Sequence, residues 1–288
     1  MPLPPAVLVG VMTVDVGRYG IWRRCTDLTP EFATEAEKLG YGAIWIGGSP
    51  SGDLALAEQL LDATERIAVA TGIVNMWKTP AAEAAASYHR IAAKHPDRFL
   101  LGVGIGHPEA TKEYRSPYAT MVAYLDELDV AGVPTAGRVL AALGPKALRL
   151  AADRTAGAHP YLTTPEHTRQ AREIVGDGVL LAPEQKVVLD TDVERARSIA
   201  RPAVDRPYLH LVNYRSNLQR LGWSEADLDN GGSDALVDAL VAHGDVEAVA
   251  ARLRAHLDAG ADHVCAQVLT AGDPLPALRE LSAALNLT

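Results

Sequence analysis

Ile67-Ala68-Val69-Ala70-Thr71-Gly72-Ile73-Val74-Asn75 is an uncharged run of small and β-branched residues. Shortly after it, Thr79-Pro80 supplies an N-cap and a first helical position, and an alanine-rich stretch continues to Lys94. An apolar run without polar alternation is expected of a strand buried on both faces of a parallel sheet. The unit is strand, turn, helix, and it recurs in both directions along the chain. The pattern predicts strands at 7–16, 43–47, 67–75, 99–106, 138–143, 157–162, 185–190 and 263–269. Helix starts are marked by Thr29-Pro30, Gly144-Pro145 and Thr164-Pro165, and Gly40 closes the first helix. Eight strands, each followed by a helix, over 288 residues fit an α/β chain of the (β/α)8 TIM-barrel class. The repeats continue evenly to the C-terminus without a linker, so 1–288 reads as a single domain rather than an open doubly wound sheet plus a second unit.

The longest interval lies between the seventh and eighth strands. Helical patterns fall there at 214–221, 225–229 and 233–243, and Val246, Val249, Ala250, Leu253 and Leu257 form an apolar stripe at helical spacing. Residues 206–245 therefore read as a helical insertion, which either caps the active-site end of the barrel or meets another subunit.

Composition excludes several functions. The formal net charge is −9, the wrong sign for displacing counterions from nucleic acid or for a polybasic membrane contact. Two cysteines, Cys25 and Cys265, lie far apart and in no CxxC, so neither a disulfide framework nor a thiolate zinc site is expected. The first ten residues lack the basic region of a secretory signal, and no apolar run reaches bilayer length. A cytoplasmic protein acting on a small molecule is the expectation.

Barrel chemistry sits at the C-terminal ends of the strands. There the sequence places glycines, small polar groups and a few rings, with few carboxylates and neither HExxH nor GxSxG. No metal site is expected. Such a set suits a planar cofactor that carries the reaction itself. Gly102-Val103-Gly104-Ile105-Gly106 follows the fourth strand rather than the first, which argues against a dinucleotide fingerprint. Its glycines either let a flat ring lie on the backbone or relieve crowding inside the barrel. Leu143-Gly144-Pro145-Lys146 turns from strand into helix, with free amides and a lysine, and reads as a phosphate cradle or as ordinary capping. Thr164 opens the analogous turn after the next strand. His107 and His159 each follow a strand end and could move a proton or serve as structural donors. His89, His95, His243 and His256 fall on predicted helices and read as surface residues, and Trp77 reads as a pocket wall or as core.

At these residues the sequence resembles the bacterial luciferase-like monooxygenase superfamily, and more narrowly its actinobacterial oxidoreductases that use the deazaflavin coenzyme F420. The resemblance spans nearly the whole chain. It rests on Leu39-Gly40-Tyr41-Gly42-Ala43-Ile44-Trp45, Ala70-Thr71-Gly72-Ile73-Val74-Asn75, Arg98-Phe99-Leu100-Leu101-Gly102-Val103-Gly104 and Ala142-Leu143-Gly144-Pro145-Lys146. It continues in Ala156-Gly157-Ala158-His159-Pro160-Tyr161 and Ala259-Gly260-Ala261-Asp262-His263-Val264. It implies a barrel with the cofactor ring at its mouth, a non-prolyl cis peptide at Gly72-Ile73, the phosphate tail at 143–146, and a homodimer. Gly72, Ile73, Asn75, Gly104, Leu143, Gly144, Pro145, Lys146, His159 and Thr164 are then the candidate cofactor contacts. Related deazaflavin enzymes often carry an Asp-His pair where this chain has Gly48-Ser49, so His107 becomes the candidate catalytic proton partner. The expectation is hydride transfer between F420 and a small organic substrate. The alternatives are an FMN-dependent monooxygenase on the same scaffold and a barrel that binds without catalysis.

Overall fold

A computed structural model describes residues 14–106 and 116–288. Strands and helices alternate: β1 (Tyr19–Arg24), α1 (Pro30–Lys38), β2 (Ala43–Gly47), α2 (Ala55–Asp62), β3 (Ala68–Gly72), β4 (Val74–Asn75), α3 (Ala81–Lys94) and β5 (Phe99–Gly104). The alternation continues with α4 (Pro117–Val130), β6 (Arg138–Leu140), α5 (Pro145–Arg154), β7 (Gly157–Ala158), α6 (Pro165–Val175), β8 (Leu180–Leu181) and β9 (Glu184–Leu189). Next come α7 (Val193–Asp205), α8 (Val212–Arg220), α9 (Glu225–Leu228), α10 (Asp234–Leu240), β10 (Val241–Gly244), α11 (Val246–Asp258), β11 (Val264–Val268) and α12 (Leu275–Ala284). No helix among the described residues is long and apolar enough to cross a membrane.

The strands form one curled parallel sheet in the order β10-β9-β11-β1-β2-β3-β5-β6-β7-β8, with β4 beside β5. The curl brings neighbouring segments of the chain to its two ends. β8 pairs with β7, while β9, two residues further on, pairs with β11. Backbone bonds from Glu184 N to Pro160 O and from Cys265 N to Pro183 O continue the contact on both sides.

Period-two alternation sorts the strand residues into two cores. Ile44, Ile46, Val69, Phe99, Leu101 and Leu140 belong to the large core that also contains helix residues such as Leu60, Ile91 and Leu125. Their neighbours Ala43, Trp45, Ala68, Ala70, Leu100 and Val139 form a separate inner core. That inner core is mostly small and medium residues around two large rings, Trp22 and Trp45. The Trp45 indole N–H donates to His263 Nε2 at 2.9 Å, and His263 Nδ1 in turn meets the Gly17 carbonyl at 2.8 Å. A third core unites α7, α8 and α10 through Ala196, Ala200, Leu218, Leu236 and Val237.

Several sequence expectations shift. The predicted first strand at 7–16 lies mostly outside the described residues, and 14–16 is not strand. The strand in that place is β1. A Cβ on its Gly20 would lie 2.6 Å from His263 Nε2 and 2.7 Å from the Ala43 carbonyl, so glycine is the residue that fits a crowded sheet. His243 lies on β10 rather than on a helix, because the apolar Val241-Ala242 pair continues the sheet beside β9. His256 is fully buried, not a surface residue. Its two nitrogens meet Thr168 Oγ1 at 2.8 Å and Gln185 Oε1 at 2.9 Å.

Crowding also accounts for Gly102. Thr71 Oγ1 donates to the Gly102 carbonyl at 2.7 Å and accepts from its N–H at 2.8 Å, and a Cβ on Gly102 would lie 1.8 Å from the Thr71 carbonyl oxygen. G102A should lower the unfolding free energy by about 3 kcal/mol, the upper part of the overpacking range. Urea denaturation checks this, and a change within the noise of the extrapolation would contradict the packing role.

Candidate functional site

The mouth of the curl, at the C-terminal ends of the strands, opens into a cleft of about 460 Å³. Trp22 and Arg24 come from β1, Gly48 and Ser49 follow β2, and Gly72, Ile73 and Asn75 follow the third strand position. Ala141 to Gly144 follow β6, His159 and Tyr161 follow β7, Lys186 lies on β9 and Gln267 on β11. Arg206, Tyr208, Asn213 and Tyr214 reach in from the segment between β9 and β11.

Six of the ten candidate cofactor contacts line this cleft together: Gly72, Ile73, Asn75, Leu143, Gly144 and His159. The Gly72–Ile73 peptide is cis. Gly104 packs beneath, where a Cβ would meet Ala141 Cβ at 2.8 Å and Ile73 Cγ1 at 3.0 Å. Thr164 caps α6, its hydroxyl accepting from His167 N at 3.3 Å. Pro145 opens α5 as its first residue, and Lys146 is exposed beside it; neither lines the cleft. The cation beside Gly144 is instead Arg220, whose Nη2 is 3.4 Å from where a Gly144 Cβ would stand. Gly144 has no side-chain cap on α5, so the first amides of that helix remain available. Trp77 is half-buried and does not line the cleft. His107 lies outside the described residues.

His159 is almost fully buried. Its Nδ1 lies 2.7 Å from the Ala182 carbonyl, which fixes Nδ1 as the protonated nitrogen and leaves Nε2 as an acceptor. Its ring stacks on Trp45 with centroids 4.2 Å apart and planes 14° from parallel. Burial pushes its pKa down to about 4, so the ring is neutral at physiological pH. Two buried polar atoms at the cleft lack a partner: His159 Nε2 and Trp22 Nε1. Both face Gly72, at 3.1 Å and 2.9 Å from the position of a Cβ there.

Lys186 was not foreseen. It is 1% exposed, and its ammonium lies 3.2 Å from Glu184 Oε1 and 3.2 Å from Gln267 Oε1. The register explains both contacts: Lys186 stands opposite Gln267, and Glu184 is two residues away on the same face. The ammonium sits 3.8 Å above the Tyr161 ring, and the Tyr161 hydroxyl donates to Gln267 Oε1 at 2.9 Å. Glu184 Oε2 accepts from Leu162 N at 3.0 Å. Burial pulls the lysine down and the carboxyl up from their ordinary ranges. Trp22, Tyr161, Tyr208 and Tyr214 form a continuous aromatic wall, each ring 4.9–5.3 Å from the next. A signal for the ion pair was present in Glu184-Gln185-Lys186, three polar residues opening an otherwise apolar strand.

Residues 26–130 match the family model of the luciferase-like monooxygenases. This is the superfamily that the sequence resembles. No curated protein matches the chain. Among solved structures, an F420-dependent secondary alcohol dehydrogenase in complex with an F420-acetone adduct is similar at a TM-score of 0.73 and 14% identity, over 93% of this chain and 99% of that one. The coenzyme F420-dependent tetrahydromethanopterin reductase from Methanopyrus kandleri is similar at 0.67 and 14%, over 95% and 99%. The oxygenating constituent of 3,6-diketocamphane monooxygenase from Pseudomonas putida, in complex with FMN, is similar at 0.64 and 14%, over 92% and 96%. At such identities the likeness is one of fold: an α/β chain around a curled parallel sheet like that of luciferase-like barrels.

The buried imidazoles give the site a pH signature. His159 and His263 are each held near pKa 4 by burial, against 6.5 when exposed. Between those values the unfolded chain binds more protons than the folded one, so stability is full above about pH 6.5 and falls as the pH drops toward 4. Urea unfolding between pH 7.5 and 5 should show this decline, with a shallower slope in His159→Gln. Parallel slopes in the two proteins would mean that the fold does not lower the His159 pKa.

Proposed function

We propose that the chain is an oxidoreductase of the luciferase-like type that holds the deazaflavin coenzyme F420 in this cleft and exchanges hydride with a small organic substrate. In this reading 1–288 is one (β/α)8 barrel domain, and residues 206–245 are a helical insertion that walls the substrate side through Tyr208 and Tyr214.

The observation that carries the reading is the unpartnered pair at Gly72. A buried polar atom without a hydrogen bond costs about 1–3 kcal/mol, so a donor and an acceptor left open side by side point to a ligand that satisfies both. Trp22 Nε1 is a donor only, and His159 Nε2, with Nδ1 committed to Ala182, is an acceptor. A ring edge that alternates carbonyl and N–H groups meets that demand, and the pyrimidine portion shared by deazaflavins and flavins has such an edge. Gly72 leaves the space open, since any side chain there would collide with both rings.

Bound, the cofactor supplies a ring carbon or nitrogen that takes up or releases hydride. The chain's own residues do the rest. Gly72, Ile73 and Ala141 give a flat seat, and the amides opening α5, with Arg220 beside them, suit an anionic tail. The stack on Trp45 and the bond to Ala182 hold His159 in one orientation, so its acceptor nitrogen need not reorganise. The aromatic wall excludes water from the space above. Ser49 offers only a hydroxyl at the position where related deazaflavin enzymes keep an acid-base pair.

Titration with F420 and FMN, followed by fluorescence, tests this. F420 should bind in the micromolar range, and His159→Leu should weaken it about tenfold, the loss of one hydrogen bond. Gly72→Val should abolish binding. Tight FMN binding without F420 binding would replace the proposal with an FMN monooxygenase, and binding of neither would leave a barrel without this chemistry.

A further inference from the structure

This is an acidic chain, and many of its arginines are tied to carboxylates. Arg195 pairs with Asp192, Arg197 with Asp238, Arg154 with Asp126 and Arg172 with Asp262. The cleft reverses that balance. Among the described residues no Asp or Glu lines it, whereas Arg24, Lys78, Lys186 and Arg206 all do. A cleft lined by one sign of charge concentrates ligands of the other sign.

These cations are not equivalent. Lys186 is fixed by Glu184 and Gln267 and cannot swing out. Arg206 is mostly exposed and lies 3.8 Å from Asp205. Arg24 ends β1 at the rim, and no carboxylate among the described residues forms an ion pair with it. With Trp22 and Gln267 it forms a wall shared with a second cavity of about 650 Å³, which also reaches Thr270 and Phe32.

The position separates Arg24 from the α5 end of the cleft. Arg24 lies near enough to Lys186 and Tyr208 for its charge to act on both, whereas Arg220 abuts Gly144 and acts on His167. One side of the cleft thus carries Arg24 beside the aromatic wall of Trp22, Tyr161 and Tyr208. The other carries Arg220 beside the open amides of α5.

We propose that Arg24 anchors an organic anion, a carboxylate or a phosphate monoester on a flat apolar body, and that the substrate of the proposed oxidoreductase is therefore acidic. The guanidinium matches either anion through paired N–H donors, and the aromatic wall beside it fits a planar body. The substrate statement rests on the preceding functional reading. The anion site stands on Arg24 and the cleft lining alone.

Calorimetric titration with benzoate, phenyl phosphate and neutral benzamide tests the site, on the cofactor-free protein and on the protein saturated with F420. The wild type should bind an anion on the order of 10–100-fold more tightly than benzamide, as expected of a charge-assisted pair. Whichever anion is preferred identifies the group. Arg24→Gln should erase the preference and Arg24→Lys should keep part of it, with F420 affinity unchanged in both. Benzamide binding as well as the anions in the wild type would overturn the proposal. So would a loss of F420 affinity in Arg24→Gln, since Arg24 would then serve the cofactor tail. Failure of F420 to bind removes the functional reading only, because the cofactor-free titrations still decide the anion site.

Discussion

The ammonium of Lys186 has to be satisfied inside the protein, and much of the mouth of the sheet is arranged around that requirement. A buried charge without partners is costly, and removing one member of a buried pair costs about 3–5 kcal/mol. Here the partners come from three places: Glu184 on its own strand, Gln267 on the neighbouring strand and the Tyr161 ring from the loop after β7. Glu184 reaches onward to the Leu162 amide, and Tyr161 donates to Gln267. One cation thereby links β7, β9 and β11 where the curled sheet returns on itself. The same strand turns Gln185 the opposite way, toward His256 and the Leu240 carbonyl, so a single run of three polar residues serves both faces.

The polar centre and the unpartnered centre lie side by side in the cleft. Around Lys186 the ammonium, both Glu184 oxygens, Gln267 Oε1 and the Tyr161 hydroxyl are all engaged. Around Gly72, Trp22 Nε1 and His159 Nε2 are not. The contrast gives the cleft a polarity: a rigid wall on the β9–β11 side and an open donor–acceptor pair over a glycine on the β3 side. Rigid packing supports the second. His159 is fixed by the stack on Trp45, and Trp45 is fixed by His263, whose other nitrogen holds the Gly17 carbonyl. The small inner residues Ala43, Ala68 and Ala70 make room for that chain of rings.

The elements that could be read from the sequence are those with local causes. Thr29-Pro30, Gly144-Pro145 and Thr164-Pro165 each open a helix where the capping chemistry predicts it, and β2 falls on its predicted residues. Gly72-Ile73 and Leu143-Gly144 stand in the cleft because they lie at or just beyond strand ends, a position that the strand spacing marks. The misses have tertiary causes. The first strand is one of them: β1 lies at 19–24 rather than 7–16, and its Gly20 is explained by His263, distant in sequence, which fills the space above it. His256 sits on an amphipathic helix and became a surface residue by type, yet Thr168 and Gln185 supply both of its hydrogen bonds in the interior. Arg24 and Tyr208 line the cleft with Gln267 only through the curl, and no local pattern marks Arg24 or Tyr208. Lys186 was the recoverable miss: a lysine in a strand expected to be buried on both faces requires a partner, and Glu184 is the nearest on its face.

The proposed cofactor seat requires Trp22 and His159 to present an open donor and an open acceptor to one planar ligand. Nitrogen-resolved NMR of the indole and imidazole groups, recorded with and without F420, tests it directly. The Trp22 indole N–H and His159 Nε2 signals should move together on addition, as each acquires a hydrogen bond, while the His256 signals stay in place. Saturating F420 with neither Trp22 nor His159 perturbed would contradict it.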